Sequence, residues 1–102
     1  MSASTDLKQD DNLFIHPWDD IAKIGGHQRT LLSKGDGVYV YDSEGNRLLD
    51  APAGMWCVNI GHGRQEMAQA VYDQIMELTY VSPWSMTTGP AARFAAQLAE
   101  QS

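Results

Sequence analysis

Val38 and Val40 alternate with Tyr39 and Tyr41, which places two faces on one segment with the period of two that a half-buried strand requires. The turn residues Ser43, Glu44, Gly45 and Asn46 follow, and Arg47 to Asp50 return, so the pattern predicts a β-hairpin. Upstream, residues 28–33 read as a strand and Lys34-Gly35-Asp36-Gly37 as a turn into the hairpin. Asp19 to Ile24 predicts a short helix with acids in its first turn, ended by Gly25-Gly26. Downstream the period lengthens to that of a helix. Met67, Val71, Ile75 and Leu78 fall on one stripe of a helix over 64–78. Pro83 restricts Ser82 to extended geometry, and a second helix over 89–101 opens at Pro90 and carries Ala91, Phe94, Ala95 and Leu98 on one side. Residues 1–12 are polar and acidic with Leu7 as the one large aliphatic side chain, and read as a disordered tail. The fold class is α+β: a short helix, a strand and hairpin, then two helices.

Residues 51–63 fit neither period. The segment Ala51-Pro52-Ala53-Gly54-Met55-Trp56-Cys57-Val58-Asn59-Ile60-Gly61-His62-Gly63 holds one large aromatic among small residues and three glycines that let the backbone turn or approach a neighbour closely. It reads as a loop that presents Trp56. A tryptophan is more often a packing residue than a binding one, but the flanking Gly54 and the missing periodicity weaken that reading here. Trp84, in the Pro-containing turn Ser82-Pro83-Trp84-Ser85, is either a ring closing over the helices or an anchor for something bound.

Composition and charge narrow the function. A chain of 102 residues is at most one small domain and can bury only about two thirds of its unfolded surface. The net charge of −6 and the scattered lysines and arginines argue against a nucleic-acid surface, which needs a clustered basic patch. No apolar run approaches membrane-spanning length, and the acidic N-terminus is unlike a signal peptide, so the reading is a cytoplasmic protein with no membrane partner. The one cysteine, Cys57, forms no internal disulfide and has no partner base in the sequence pattern to make it a nucleophile. His16, His27 and His62 lack the spacing of a metal site, and Gly61-His62-Gly63 lacks the third glycine of a dinucleotide fingerprint.

Five elements in order resemble the N-terminal segment of the class III, fold-type I pyridoxal-phosphate aminotransferases, in the ω-transaminase or amine–pyruvate branch. They are His16-Pro17-Trp18, the hairpin Gly35-x-Gly37-x-Tyr39-x-x-Asp42-x-x-Gly45-x-x-x-x-Asp50, the loop Gly54-Met55-Trp56-Cys57-Val58-Asn59-x-Gly61-x-Gly63, a helix, and Ser82-Pro83-Trp84-Ser85. The resemblance covers residues 14–102. It implies that residues 13–63 form the arm, hairpin and pocket loop of the small domain, and that 64–102 lead into a large pyridoxal-phosphate domain beyond this chain. It further implies Trp18, Met55, Trp56 and Trp84 as substrate-binding residues, Trp18 on the large side of the pocket and Trp84 on its small side, where relatives commonly carry Phe. Pyridoxal 5'-phosphate, amine and keto-acid substrates such as pyruvate, and a homodimer are implied in the same way. No catalytic residue is expected within the segment, because none of Lys8, Lys23 and Lys34 stands in the context of the family's cofactor-binding lysine, and the chain alone is expected to be inactive. Ornithine- or GABA-type relatives stay open within the family. The alternative of another class is a non-catalytic α+β interaction domain that uses Trp56 and Trp84 as anchors.

Overall fold

The computed structural model describes residues 3–26 and 29–102. The chain divides into two units between Arg64 and Gln65. The first contains helix α1 (Ala3–Asp10), 3-10 turns at Asp11–Leu13 and Ile21–Lys23, and strands β1 (Leu32–Asp36), β2 (Tyr39–Asp42) and β3 (Arg47–Leu49) in an antiparallel sheet of order β1-β2-β3. It closes with one turn, α2 (Ala53–Trp56). The second unit holds helices α3 (Gln65–Glu77) and α4 (Gly89–Gln101).

The hairpin forms in the expected place. Tyr39 pairs with Leu49, Val40 with Leu48 and Tyr41 with Arg47. Asp42 builds the turn: its Oδ1 accepts from the backbone N–H groups of Glu44 and Asn46, both at 2.9 Å, and its Oδ2 from the Asn46 amide at 2.9 Å. Those bonds, that of the Asn46 side chain foremost, hold the Asp42 carboxyl below its ordinary value of 3.8. Arg47 lies over the Tyr39 ring at 4.4 Å and Lys34 over Tyr41 at 5.3 Å, so cationic stems cover aromatic faces that the sheet itself leaves open.

Four expectations differ from the structure. The short helix expected over Asp19 to Ile24 is a single 3-10 turn, Ile21–Lys23, opened by Asp20, whose carboxylate accepts from the Ala22 N–H at 3.0 Å. The turn expected over 34–37 lies instead at Gly37-Val38, and Lys34 to Asp36 belong to β1, because Gly37 at φ 58 lets a two-residue connection join Asp36 directly to its partner Tyr39. The strand expected from Gln28 accordingly begins at Leu32; His27 and Gln28 lie outside the described residues. The segment read as a disordered tail carries α1, with Lys8 in its last turn where the helix dipole favours a cation. Polar composition says how little such a segment can bury, and leaves open whether a short helix forms locally.

The two later helices carry the expected apolar faces, and the large side chains on those faces are exposed. Thr88 caps α4 by accepting from the Ala91 N–H at 3.3 Å, next to Pro90 in the first turn, where a missing N–H costs nothing. Met67, Val71 and Ile75 on α3, and Leu78 just after its end, are 42–51 % exposed. On α4, Phe94 and Leu98 are exposed as well, and among the described residues no hydrophobic side chain is buried.

Candidate functional site

Asp50 ends the hairpin, and between it and His62 the chain makes a loop whose two ends meet on the Gly37-Val38 connection. The Asp50 N–H donates to the Val38 carbonyl at 2.9 Å, while Gly37 and His62 exchange a pair of backbone hydrogen bonds at 3.0 and 2.8 Å. Gly61, at φ 84, is needed for that approach, since a side-chain carbon there would stand 3.0 Å from the Gly37 carbonyl oxygen. The side chains close the same gap. His62 Nε2–H donates to Asp50 Oδ2 at 2.8 Å, the tautomer being set because an ionised carboxylate can only accept. This bond, ahead of all other causes, holds the Asp50 carboxyl below its ordinary value of 3.8. Its stabilising contribution is therefore complete above that ordinary value and is lost only as the pH falls through the lowered one.

Inside the loop the backbone turns left-handed. Ala53 (φ 48), Gly54 (φ 59, ψ 41), Met55 (φ 58, ψ 53) and Trp56 (φ 68) make one turn of helix of the wrong hand for L-residues. Only Gly54 enters this region freely; Ala53, Met55 and Trp56 each carry a cost of about 1–2 kcal/mol. The turn is held by Trp56 N–H to Pro52 O at 2.9 Å, by Cys57 and Val58 N–H to Ala53 O at 3.0 and 2.9 Å, and at its start by Ala53 N–H to Asp50 O at 3.2 Å. The Cys57 thiol donates to the Met55 carbonyl at 3.5 Å. Strain of this kind persists only where the surroundings over-determine it, and here it delivers two large side chains outward: Met55 is 50 % and Trp56 77 % exposed.

Trp18 is presented by the same means. Asp19 N–H donates to the His16 carbonyl at 3.3 Å across a turn with Pro17 first and Trp18 second, and Trp18 has φ 61 in the position where Gly or Asn is usual. Arg29 Nη2 reaches both oxygens of Asp19, at 2.5 and 2.6 Å, and His16 donates to Asp11 at 2.7 Å, which ties the turn on either side of the exposed indole. Trp84 lies in the second unit, almost wholly exposed in the connection between α3 and α4. Thus Met55 and Trp56 share one turn, Trp18 stands on a second turn of the same unit, and Trp84 belongs to the other unit. Sequence reading missed the Asp50–His62 and Arg29–Asp19 pairs, for which 12 and 10 residues of separation leave no local signal.

Among the described residues no three of His, Cys, Asp and Glu converge as metal ligands, and no helix is long and apolar enough to cross a membrane. A family model described as aminotransferase class-III matches residues 21–102. The chain belongs to the class-III aminotransferases. It is similar to an uncharacterized aminotransferase of Bacillus subtilis, YhxA, at 45 % identity over 96 residues, covering 92 % of this chain and 20 % of the relative. It is 42 % identical over 76 residues to the putrescine–pyruvate aminotransferase of Pseudomonas aeruginosa, covering 74 % of this chain and 17 % of that protein. The crystal structure of a thermostable (S)-enantioselective omega-transaminase from Thermomicrobium roseum superimposes with a TM-score of 0.88 at 35 % identity, over 98 % of this chain and 23 % of that one. The chain spans about a fifth of the length of these relatives and carries the N-terminal segment of this pyridoxal-phosphate family.

The residues present do not fit the cofactor itself. A lysine that condenses with an aldehyde must be desolvated or otherwise activated. Lys8, Lys23 and Lys34 are all exposed; Lys23 lies 3.8 Å from Asp20 and Lys34 lies over Tyr41.

Proposed function

We propose that this chain serves, in the whole aminotransferase, as the substrate-selecting segment of an enzyme that moves an amino group from a primary amine to a keto acid such as pyruvate. The observation that carries the reading is the left-handed turn Ala53–Trp56, which accepts backbone strain to hold Met55 and Trp56 outward in a member of this family. Pyridoxal 5'-phosphate supplies the electron sink for the exchange when bound to the whole enzyme. This chain's residues bind and orient: Trp18, Met55, Trp56 and Trp84 offer apolar and aromatic surface that selects the amine by shape and keeps water from it. Residues 13–63 then form the arm, hairpin and pocket loop of the small domain, and 64–102 the helices that lead into the large domain. The exposed stripes of α3 and α4 support a position against that domain; on this reading the whole enzyme is a cytoplasmic homodimer. The relatives named for putrescine–pyruvate transfer and for omega-transamination support the amine branch over the amino-acid branches.

The test is kinetic. The complete enzyme is expected to convert pyruvate to alanine with a primary amine as donor, and Trp56→Ala to change the relative kcat/KM of aromatic against aliphatic amines while the thermal midpoint moves little. A ring that served as core would instead cost about 3–5 kcal/mol of stability on truncation. Loss of stability with unchanged relative kcat/KM would remove Trp56 from the pocket. Absence of amine–pyruvate turnover, with turnover of amino-acid donors, would move the enzyme to another branch.

A further inference from the structure

We propose that Asp50 and His62 are positioning residues for Trp56: a side-chain clasp that closes the loop over 51–61 and holds its left-handed turn in the form that presents the indole. The proposal rests on the reading of Trp56 as a pocket wall and adds residues that this reading does not contain. Four observations meet at the pair. Asp50 spends its two carboxylate oxygens in different directions, Oδ2 on His62 Nε2 at 2.8 Å and Oδ1 on the Gly54 N–H at 3.4 Å, so one side chain links the loop's far end to the left-handed turn itself. Its backbone carbonyl accepts from Ala53, the residue that enters the turn. His62 is seated on β1, where Gly35 leaves the room: a side-chain carbon at Gly35 would stand 2.6–2.8 Å from the His62 ring and Cβ. Both side chains are also largely withdrawn from solvent, at 13 % and 27 % exposure, in a unit whose aromatic side chains at Trp18 and Trp56 are left outside.

The physical reason for a clasp is the strain. Ala53, Met55 and Trp56 would relax to right-handed or extended backbone if the loop ends were free, and the indole would swing with them. A hydrogen-bonded, charge-assisted pair across the loop's neck opposes that relaxation, and its carboxylate reaches the turn directly. Neither residue needs to touch substrate.

The experiment uses the complete holoenzyme labelled with 5-fluorotryptophan, the Trp56 resonance being identified by its loss in Trp56→Phe. Asp50→Ala and His62→Ala are expected to shift or split that resonance and to change the kcat/KM ratio for a bulky over a small amine by about tenfold, within the roughly hundredfold that a 1 Å misplacement can cost. His62→Gln, which keeps a donor near the Nε2 position, is expected to retain the wild-type resonance and ratio. Asp50→Ala combined with Trp56→Ala is expected to give the ratio of Trp56→Ala alone. Should neither alanine variant fold, Asp50→Asn carries the test, since one amide oxygen cannot replace both carboxylate oxygens and the resonance must move. An unmoved Trp56 resonance in the alanine variants, or in Asp50→Asn where those do not fold, overturns the proposal, as does an unchanged ratio with only a lower thermal midpoint while Trp56→Ala does change it. A flat ratio in Trp56→Ala itself condemns the pocket reading and leaves the clasp to be decided by the fluorine resonance.

Discussion

Produced alone, residues 1–102 are expected to show no cooperative thermal unfolding, to bind a hydrophobic dye and to associate at micromolar concentration. Among the described residues no hydrophobic side chain is buried, and the stripe of Met67, Val71, Ile75 and Leu78 is about half in water. Completing the burial of each such side chain is worth about 1 kcal/mol, half the value for a fully buried one, and the isolated chain forgoes it at every position. What remains is a three-stranded sheet and helices of 13 residues, a length marginal in water without packing. The same chain is expected to give no saturable visible band with pyridoxal phosphate and no amine–pyruvate turnover, because its lysines are solvated. Circular dichroism with heating, sedimentation and a cofactor titration decide the matter together. A monomer with a sharp transition would favour the free-standing interaction domain, with Trp56 and Trp84 as its anchors. A single stoichiometric lysine adduct with turnover would overturn the assignment of this segment to pocket walls.

In the complete enzyme, Trp84→Ala is expected to raise kcat/KM for amines bearing ethyl or propyl opposite the main side chain, relative to their methyl homologues. A methylene forced into a filled pocket costs roughly 1–3 kcal/mol, so the ratio should rise by about one to two powers of ten. Trp84→Phe should move it part of the way. The prediction depends on the indole standing as the wall of the small side, and its near-complete exposure within this segment is what leaves it available for that place. Stability should hardly change through contacts made within the chain, since the ring makes few. If both kcat/KM values fall together and their ratio stays flat, Trp84 closes a surface elsewhere in the enzyme and the small side is walled by another residue.

Much of this was legible without coordinates because it rests on local rules. Alternation over 38–41 and the turn chemistry of Ser43 to Asn46 are sufficient for a hairpin, and a 3.6-residue repeat with Pro90 at the start is sufficient for α4. The family followed from five motifs in order, and the matched region 21–102 agrees with it. The sequence also marked residues 51–63 as irregular, since glycines and one indole among small residues fit no period. It could not say that the irregularity is a left-handed turn, for Ala53, Met55 and Trp56 have no preference for that region and are held there by bonds to Asp50 and Pro52. Nor could it pair Asp50 with His62, or explain Gly35 by the imidazole packed against it: such contacts depend on how the chain folds back, and the sheet register brings them together. Local propensity determined the elements of this protein, while the tertiary structure decided which side chains the strained turns present, because strain is tolerated only where distant groups converge to hold it.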